Sequence, residues 1–465
     1  MHPDPRVRPD RFLRSSFTMS LSIVGCLSSL LKDNYSECLG FVISCDQNGA
    51  NDKFSEKAMV WSTKSKSLDI TSTTSHRSSA PKVVGRALST SSLDITPTEL
   101  FGAAARSSHL HSINIAIATP ESVVMARLIE QYIDNTSSNF AIMSNVDSLK
   151  DYVKSYFVGT VAAGLAYMTM INEGYVWSDH FENVGGGNPK TKRKPDYVFA
   201  GPATGLALME AKGARSGNIH TFDGRVLDGY SGQVEPHLGH QVGGQTAVRG
   251  YSIGAWMQST TQTELRLHHT APPAAPQTQA PSPSTATSSS VGVATSIQRS
   301  NFATAFALAH SPMLANSIRR EGELTLEDEV VPFLRFRWLG HYWLSSPQLP
   351  ISSWRGTANY WRVLRAIPFR GWINPFYRPQ TFAIREDIGR LALRSFLDDR
   401  ADADREVIPF KVVDDDLREQ ARTYEREGVG GAVFPDGLAL IASGAKIDEL
   451  GLLLWRRATS DFEPI

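Results

Sequence analysis

Lys190-Thr191-Lys192-Arg193-Lys194-Pro195-Asp196-Tyr197-Val198-Phe199-Ala200, then Gly201-Pro202-Ala203-Thr204-Gly205, then Leu206-Ala207-Leu208-Met209-Glu210-Ala211-Lys212, is the stretch from which the fold is read. Two apolar runs of strand length flank a segment carrying Gly and Pro, the pattern of a hairpin. Side chains two apart on a strand share a face, so Glu210 and Lys212 project together. Charges at the end of an apolar strand are costly unless something offsets them. A partner strand that delivers Asp196 to the same place would gather two carboxylates and one ammonium. Such oxygen ligands suit Mg²⁺, which takes one or two carboxylates and keeps several waters. The plainer alternative is a surface salt bridge at a strand end.

Outward from the hairpin, residues 149–172 read as a helix, with Tyr152, Tyr156, Val161, Leu165 and Met168 spaced for one buried side. Glu173-Gly174 closes it. Tyr175 to Phe181 reads as a strand and Gly185-Gly186-Gly187 as a loop. That loop lacks the Lys-Ser/Thr of a phosphate-cradling turn. Beyond the hairpin, 232–249 reads as a helix weakened by Pro236, Gly239, Gly243 and Gly244. Tyr251 to Met257 and Glu264 to His269 read as strands. The order is helix, three strands, helix, strand.

Pro195-Asp196 followed by Glu210-Ala211-Lys212 resembles the signature of the PD-(D/E)xK nuclease superfamily, and the element order over 150–270 is similar to its core. The resemblance implies an α/β, restriction-endonuclease-like fold with a mixed sheet. It implies Mg²⁺-dependent (or Mn²⁺-dependent) hydrolysis of phosphodiester bonds in DNA. Asp196, Glu210 and the Ala211 carbonyl would hold the metal. Lys212 would orient the attacking water and stabilise charge on phosphorus. Glu173 would be an additional acid, with Glu182 and Asp179 as rivals. Gln245 would contact substrate or a metal-bound water, with Gln241 and Gln233 as rivals. The same fold used as a nucleic-acid or protein binding module, without catalysis, is the alternative.

The 465 residues carry 47 basic and 47 acidic side chains, so no global field draws the chain to nucleic acid and attraction must come from local patches. One such patch is Lys190, Lys192, Arg193 and Lys194, either a phosphate holder or a solvated loop guarding a strand edge. Length predicts two or three domains: a low-order region over 1–110, a nuclease-like domain over 111–270, a mobile Pro/Ser/Thr-rich linker over 271–296 and a separate C-terminal α+β region over 297–465. Within the first, Ser67-Leu68-Asp69-Ile70-Thr71 recurs as Ser92-Leu93-Asp94-Ile95-Thr96, too little for an array. Ile113 to Ile117 reads as a strand. Thr119-Pro120-Glu121 starts a helix to about Ile133.

Within the C-terminal region, Phe302 to Ala315 reads as helix. Pro332 to Arg385 lacks Asp and Glu, and its arginines alternate with Trp338, Trp343, Trp354, Trp361 and Trp372. This block suits nucleic acid or, with slightly more weight, an aromatic core with snorkelling arginines. Residues 386–427 return to helix; Val433 to Ile441 and Leu450 to Trp455 read as strands. Three cysteines, Cys26, Cys38 and Cys45, at irregular spacing argue against a zinc site or disulfide framework and point to an intracellular, cytoplasmic setting. Ile23-Val24-Gly25-Cys26 resembles a lipoprotein cleavage site, but the apolar stretch is broken by Thr18, Ser20 and Ser22. No apolar run reaches the length of a membrane span. His237 and His240, one turn apart if helical, lack the third ligand of a zinc site.

Overall fold

A computed structural model of the chain describes residues 65–108, 125, 128–129, 131–201, 205–272, 295–319, 330–346, 380–397, 413–426, 430–442, 445–456 and 461–464. The expected strand at 113–117, the helix start at Thr119, Cys26 with its neighbours, most of the linker, and Trp354, Trp361 and Trp372 lie outside the described residues.

In chain order, β1 (Lys66–His76) and β2 (Ser92–Ile95) precede helix α1 (Pro97–Ser107) and helix α2 (Asp151–Asn172). Then come β3 (Trp177–His180), the short helix α3 (Phe181–Val184), β4 (Tyr197–Gly201) and β5 (Gly205–Ala214). Helix α4 (Ile219–Gly229) follows, then a π-helical turn (Tyr230–Val234) and a 3₁₀ turn (Glu235–His237). Next are β6 (Gln241–Val242), β7 (Gln245–Trp256) and β8 (Glu264–Thr270). Beyond the linker lie α5 (Thr295–Leu308), α6 (Pro312–Arg319), β9 (Val330–Trp338), β10 (His341–Ser345), β11 (Gln380–Arg385), α7 (Glu386–Leu397), α8 (Asp415–Arg426), β12 (Gly431–Val433), β13 (Leu438–Ala442), β14 (Asp448–Arg456) and β15 (Asp461–Pro464). None of the described helices is long and apolar enough to cross a membrane.

The fold is mixed α/β with two sheets. The first runs β2-β1-β8-β7-β5-β4-β3, with β6 beside β7. Its β1–β8 and β5–β7 pairs are parallel and the rest antiparallel. The second sheet, β12-β13-β11-β10-β9-β14-β15, is antiparallel throughout. Helix α2 ends as its sequence dictates. Gly174 takes φ +87°, Tyr175 N–H reaches Met170 O at 3.2 Å and Gly174 N–H reaches Ile171 O at 2.9 Å. This is the paired closure that a left-handed glycine permits. Val161, Leu165 and Met168 are buried as expected, but Tyr152 is 78% and Tyr156 43% exposed. The first two turns of α2 therefore overhang the core.

Residues 65–108 are ordered where low order was expected. The two copies of the five-residue repeat are sheet partners, with Leu68 opposite Leu93 and Ser67 opposite Asp94. Leu68, Leu93 and Ile95 are buried; polar residues between them mask a period-2 alternation. Helix α1 begins with a reciprocal cap, Glu99 N–H to Thr96 Oγ1 and Thr96 N–H to Glu99 Oε2.

The C-terminal region docks on this core. Asn301 of α5 accepts from Ser178 N–H of β3. Arg106 of α1 is ion-paired to Asp436, and Arg422 of α8 to Glu99 at 2.7 Å. Trp338 and Trp343 are buried, as the core reading expects of these two. Arg335, Arg337 and Arg385 pair with Glu386, Glu449 and Asp387, acids from outside the acid-free stretch.

Candidate active site

The β4–β5 ladder pairs Tyr197 with Met209. One step further, Asp196 stands opposite Glu210, and side chains of directly opposed residues share a face. The backbone locks this arrangement reciprocally. Asp196 N–H donates to Glu210 Oε2 at 3.0 Å, and Ala211 N–H donates to Asp196 Oδ2 at 2.9 Å. A strand residue's N–H and C=O face the same neighbour. The Ala211 carbonyl therefore also points to the Asp196 side, past the last rung of the ladder. Lys212 Nζ donates to Glu210 Oε1.

Burial sets the electrostatics. Glu210 is 1% exposed. Its carboxyl is pushed up to about 7, first by burial and then by Asp196, against the opposing pull of Lys212. Asp196 is also raised, mainly by burial, despite the Ala211 N–H and Lys212. Glu182, at the start of α3, adds to that rise. Phe181 N–H donates to Asp196 O at 3.1 Å, so the turn into α3 is fastened to the site strand.

Helix α4 and its π-helical turn roof the site. Gly229 faces it: a Cβ there would lie 2.8 Å from Ser252 Oγ, 3.1 Å from Glu210 Cγ and 3.3 Å from Lys212 Cε. Ser252, paired with Glu210 across β5–β7, is fully buried, and among the described residues its hydroxyl has no hydrogen-bond partner. The π-helical turn delivers Gln233. Its Oε1 lies 3.4 Å from Lys212 Nζ and 3.2 Å from an Arg193 nitrogen, and its Nε2 donates to Lys194 O at 3.0 Å. π-helical turns are rare and concentrate at functional sites.

Two expected members are placed elsewhere. Glu173 caps the C-terminal end of α2, four residues before β3. Val176 N–H bonds Ala200 O, four residues along β4 from Asp196. Its carboxylate is taken by Arg86 at 2.7 Å and by the N–H groups of Ser89 and Thr90. Burial pushes that acid up, and these donors more than reverse it, leaving it below its ordinary value. It closes the helix and anchors the 86–90 segment. Gln245 lies on a strand, not a helix, opposite Val242. Near its end of β7, Ala247 pairs with Leu206, four residues from Glu210. The helix expected at 232–249 forms instead over 219–229, because Pro236 and the glycines break the later segment. Of the rivals, Gln233 and Glu182 lie beside the site. Asp179 is buried, hydrogen-bonded to Ser300 and Asn183, and raised to about 6 by burial.

Among the described residues no group of three or more His, Cys, Asp or Glu is placed to hold a metal ion. The donor set that converges is two carboxylates and one backbone carbonyl. It fits a hard cation that retains its waters better than a zinc cage. Both acids are raised by desolvation, Glu210 also by Asp196 and Asp196 also by Glu182, and a cation relieves such a pair. No family model, curated protein or solved structure matches the chain.

Proposed function

We propose that the chain is a Mg²⁺-dependent (or Mn²⁺-dependent) nuclease that hydrolyses phosphodiester bonds of DNA at a PD-(D/E)xK-type site on a restriction-endonuclease-like core. The observation that carries this reading is the opposition of Asp196 and Glu210, locked by reciprocal backbone hydrogen bonds with Lys212 on Glu210. The order α2, β3, β4, β5, α4, β7, with β5 and β7 parallel, supports the core assignment.

Asp196, Glu210 and the Ala211 carbonyl would hold the cation, which would polarise the scissile phosphate and acidify water. Lys212 is held at the acids, where it can orient a water and stabilise charge developing on the phosphate oxygens. Gln233 keeps the Lys212 ammonium in place. No covalent nucleophile is required.

The test is cleavage of plasmid and oligonucleotide DNA. Wild-type protein should cut with Mg²⁺ and stop with EDTA. Asp196→Ala and Lys212→Ala should each lose at least about 100-fold in rate while retaining their circular dichroism. Equal cutting by wild type and both variants rejects the proposal. A second reading, a binding module on the same fold, draws on Glu173 being committed to Arg86. Salt-sensitive DNA binding with no metal-dependent cutting selects it. An intracellular, cytoplasmic setting belongs to this proposal; a mature chain beginning at Cys26 would overturn it.

A further inference from the structure

We propose that the loop 188–194 is a prebuilt cationic rail for the phosphates of the DNA strand, with His237 as the positioning residue that sets its shape. The identity of the strand rests on the nuclease reading; the rail itself rests on separate observations.

Lys190, Lys192, Arg193 and Lys194 are all exposed. Arg193 is engaged with Asp228 and Gln233. Among the described residues no ion pair joins Lys190, Lys192 or Lys194 to an acid. An edge-guarding role fails on topology, because β4, into which the loop leads, is paired on both sides by β3 and β5. The strand at the end of the sheet is β3, and α5 covers it, Asn301 accepting from Ser178 N–H.

The loop is also tied down far more than a solvated loop requires. Gly187 N–H donates to Gln241 O at 2.7 Å. Asn188 Nδ2 donates to Pro236 O at 3.0 Å, and Lys190 N–H to Asn188 Oδ1 at 3.0 Å. Lys194 O is held by Gln233. The centre of this lattice is His237, 1% exposed. Its Nδ1 accepts from Asn188 N–H at 3.0 Å and its Nε2 lies 2.8 Å from Arg193 O. An acceptor Nδ1 and a carbonyl at Nε2 fix a neutral ring with its proton on Nε2. One uncharged side chain thus spans the loop from its first residue to its sixth. Gly187 makes the close approach possible: its φ is +85° and a Cβ would lie 2.4 Å from Nδ1. Cations held in advance lose little freedom when they meet phosphates. The rail runs directly into Asp196, so a strand seated on it would pass the carboxylates.

The experiment is anisotropy of labelled single-stranded and duplex DNA across a KCl series, in EDTA so that no cutting intervenes. Each lysine on a phosphate contributes roughly 0.7 to 0.9 to the slope of log affinity against log salt. The triple variant Lys190→Ala/Lys192→Ala/Lys194→Ala, altered only at the surface, should lose about two to three units of slope. His237→Ala removes no charge yet should weaken binding about 10-fold and lower the slope, and His237→Gln, with one acceptor and one donor, should restore both. A triple variant with wild-type affinity and slope overturns the rail, even if the wild type cuts. Wild-type binding with the full slope, lost in the triple variant, but without cutting under Mg²⁺, sinks the nuclease reading and leaves the rail standing.

Discussion

Glu210 concentrates the chemistry at the scale of single residues. Its carboxyl titrates near 7 because it is buried beside Asp196. A cation needs both acids ionised. Mg²⁺ affinity should therefore rise with pH up to about 7 and level off above, with a proton released on binding at pH 6. Calorimetry in buffers of different ionisation heat reads this; Glu210→Gln should abolish it. A linked effect concerns stability. A carboxyl raised in the folded state contributes stability below its unfolded pKa and loses it as pH climbs through the folded value. In EDTA, Glu210→Gln should thus raise the melting temperature at pH 8 more than at pH 5. Asp196, Glu210 and Lys212 were legible because a strand's period of two fixes which side chains meet. Glu173 was not: adjacency to a helix end does not reveal that Arg86, some ninety residues earlier, claims the acid. Gln233 and Gln245 were indistinguishable by spacing, since nothing in the local sequence announces a π-helical turn.

At the scale of elements, the roof over the site depends on absent atoms. Gly229 brings α4 against Ser252, Glu210 and Lys212. Gly229→Val should push the helix away, cutting activity by at least about 10-fold with a loss of about 1–3 kcal/mol in denaturant unfolding. Unaltered activity would show that α4 is not the roof. The α2 boundary, the hairpin, β8 and the second half of β7 were readable from apolar runs and Gly punctuation, while the first half of β7 was read as helix. β1 and β2 were not, because Ser and Thr at the outward positions look like composition rather than alternation. The Thr96-Pro97-Thr98-Glu99 cap was a usable signal of the same kind as the one read at Thr119.

At the scale of the molecule, buried charge joins segments far apart in sequence. Arg106 and Asp436 are almost fully buried and share Asn301. Asp436→Ala should cost about 3–5 kcal/mol by stranding the guanidinium; replacing both partners with apolar residues should cost much less. Glu425, beside Thr98 N–H, is raised to about 7 by burial. Its contribution to stability is present below its ordinary value of 4.5 and disappears as pH rises through about 7. Glu425→Gln should flatten that part of the stability profile by about 2–3 kcal/mol between pH 4.5 and 8, as urea titrations at each pH will show. Domain borders drawn from composition missed these links, since Pro-rich sequence marks where a chain leaves a core but not where it comes back.

The parallel pairing of β1 with β8 joins Ile70 to Leu265. During synthesis the ribosome must emit nearly two hundred further residues before the earlier strand meets its neighbour. Until then its hydrogen-bonding edge is exposed to other nascent chains. Closing so long a loop is slow, so the interval after translation begins is when this protein most needs a chaperone. A shortened gene starting at residue 111 would remove the problem together with the strand, and should yield insoluble product.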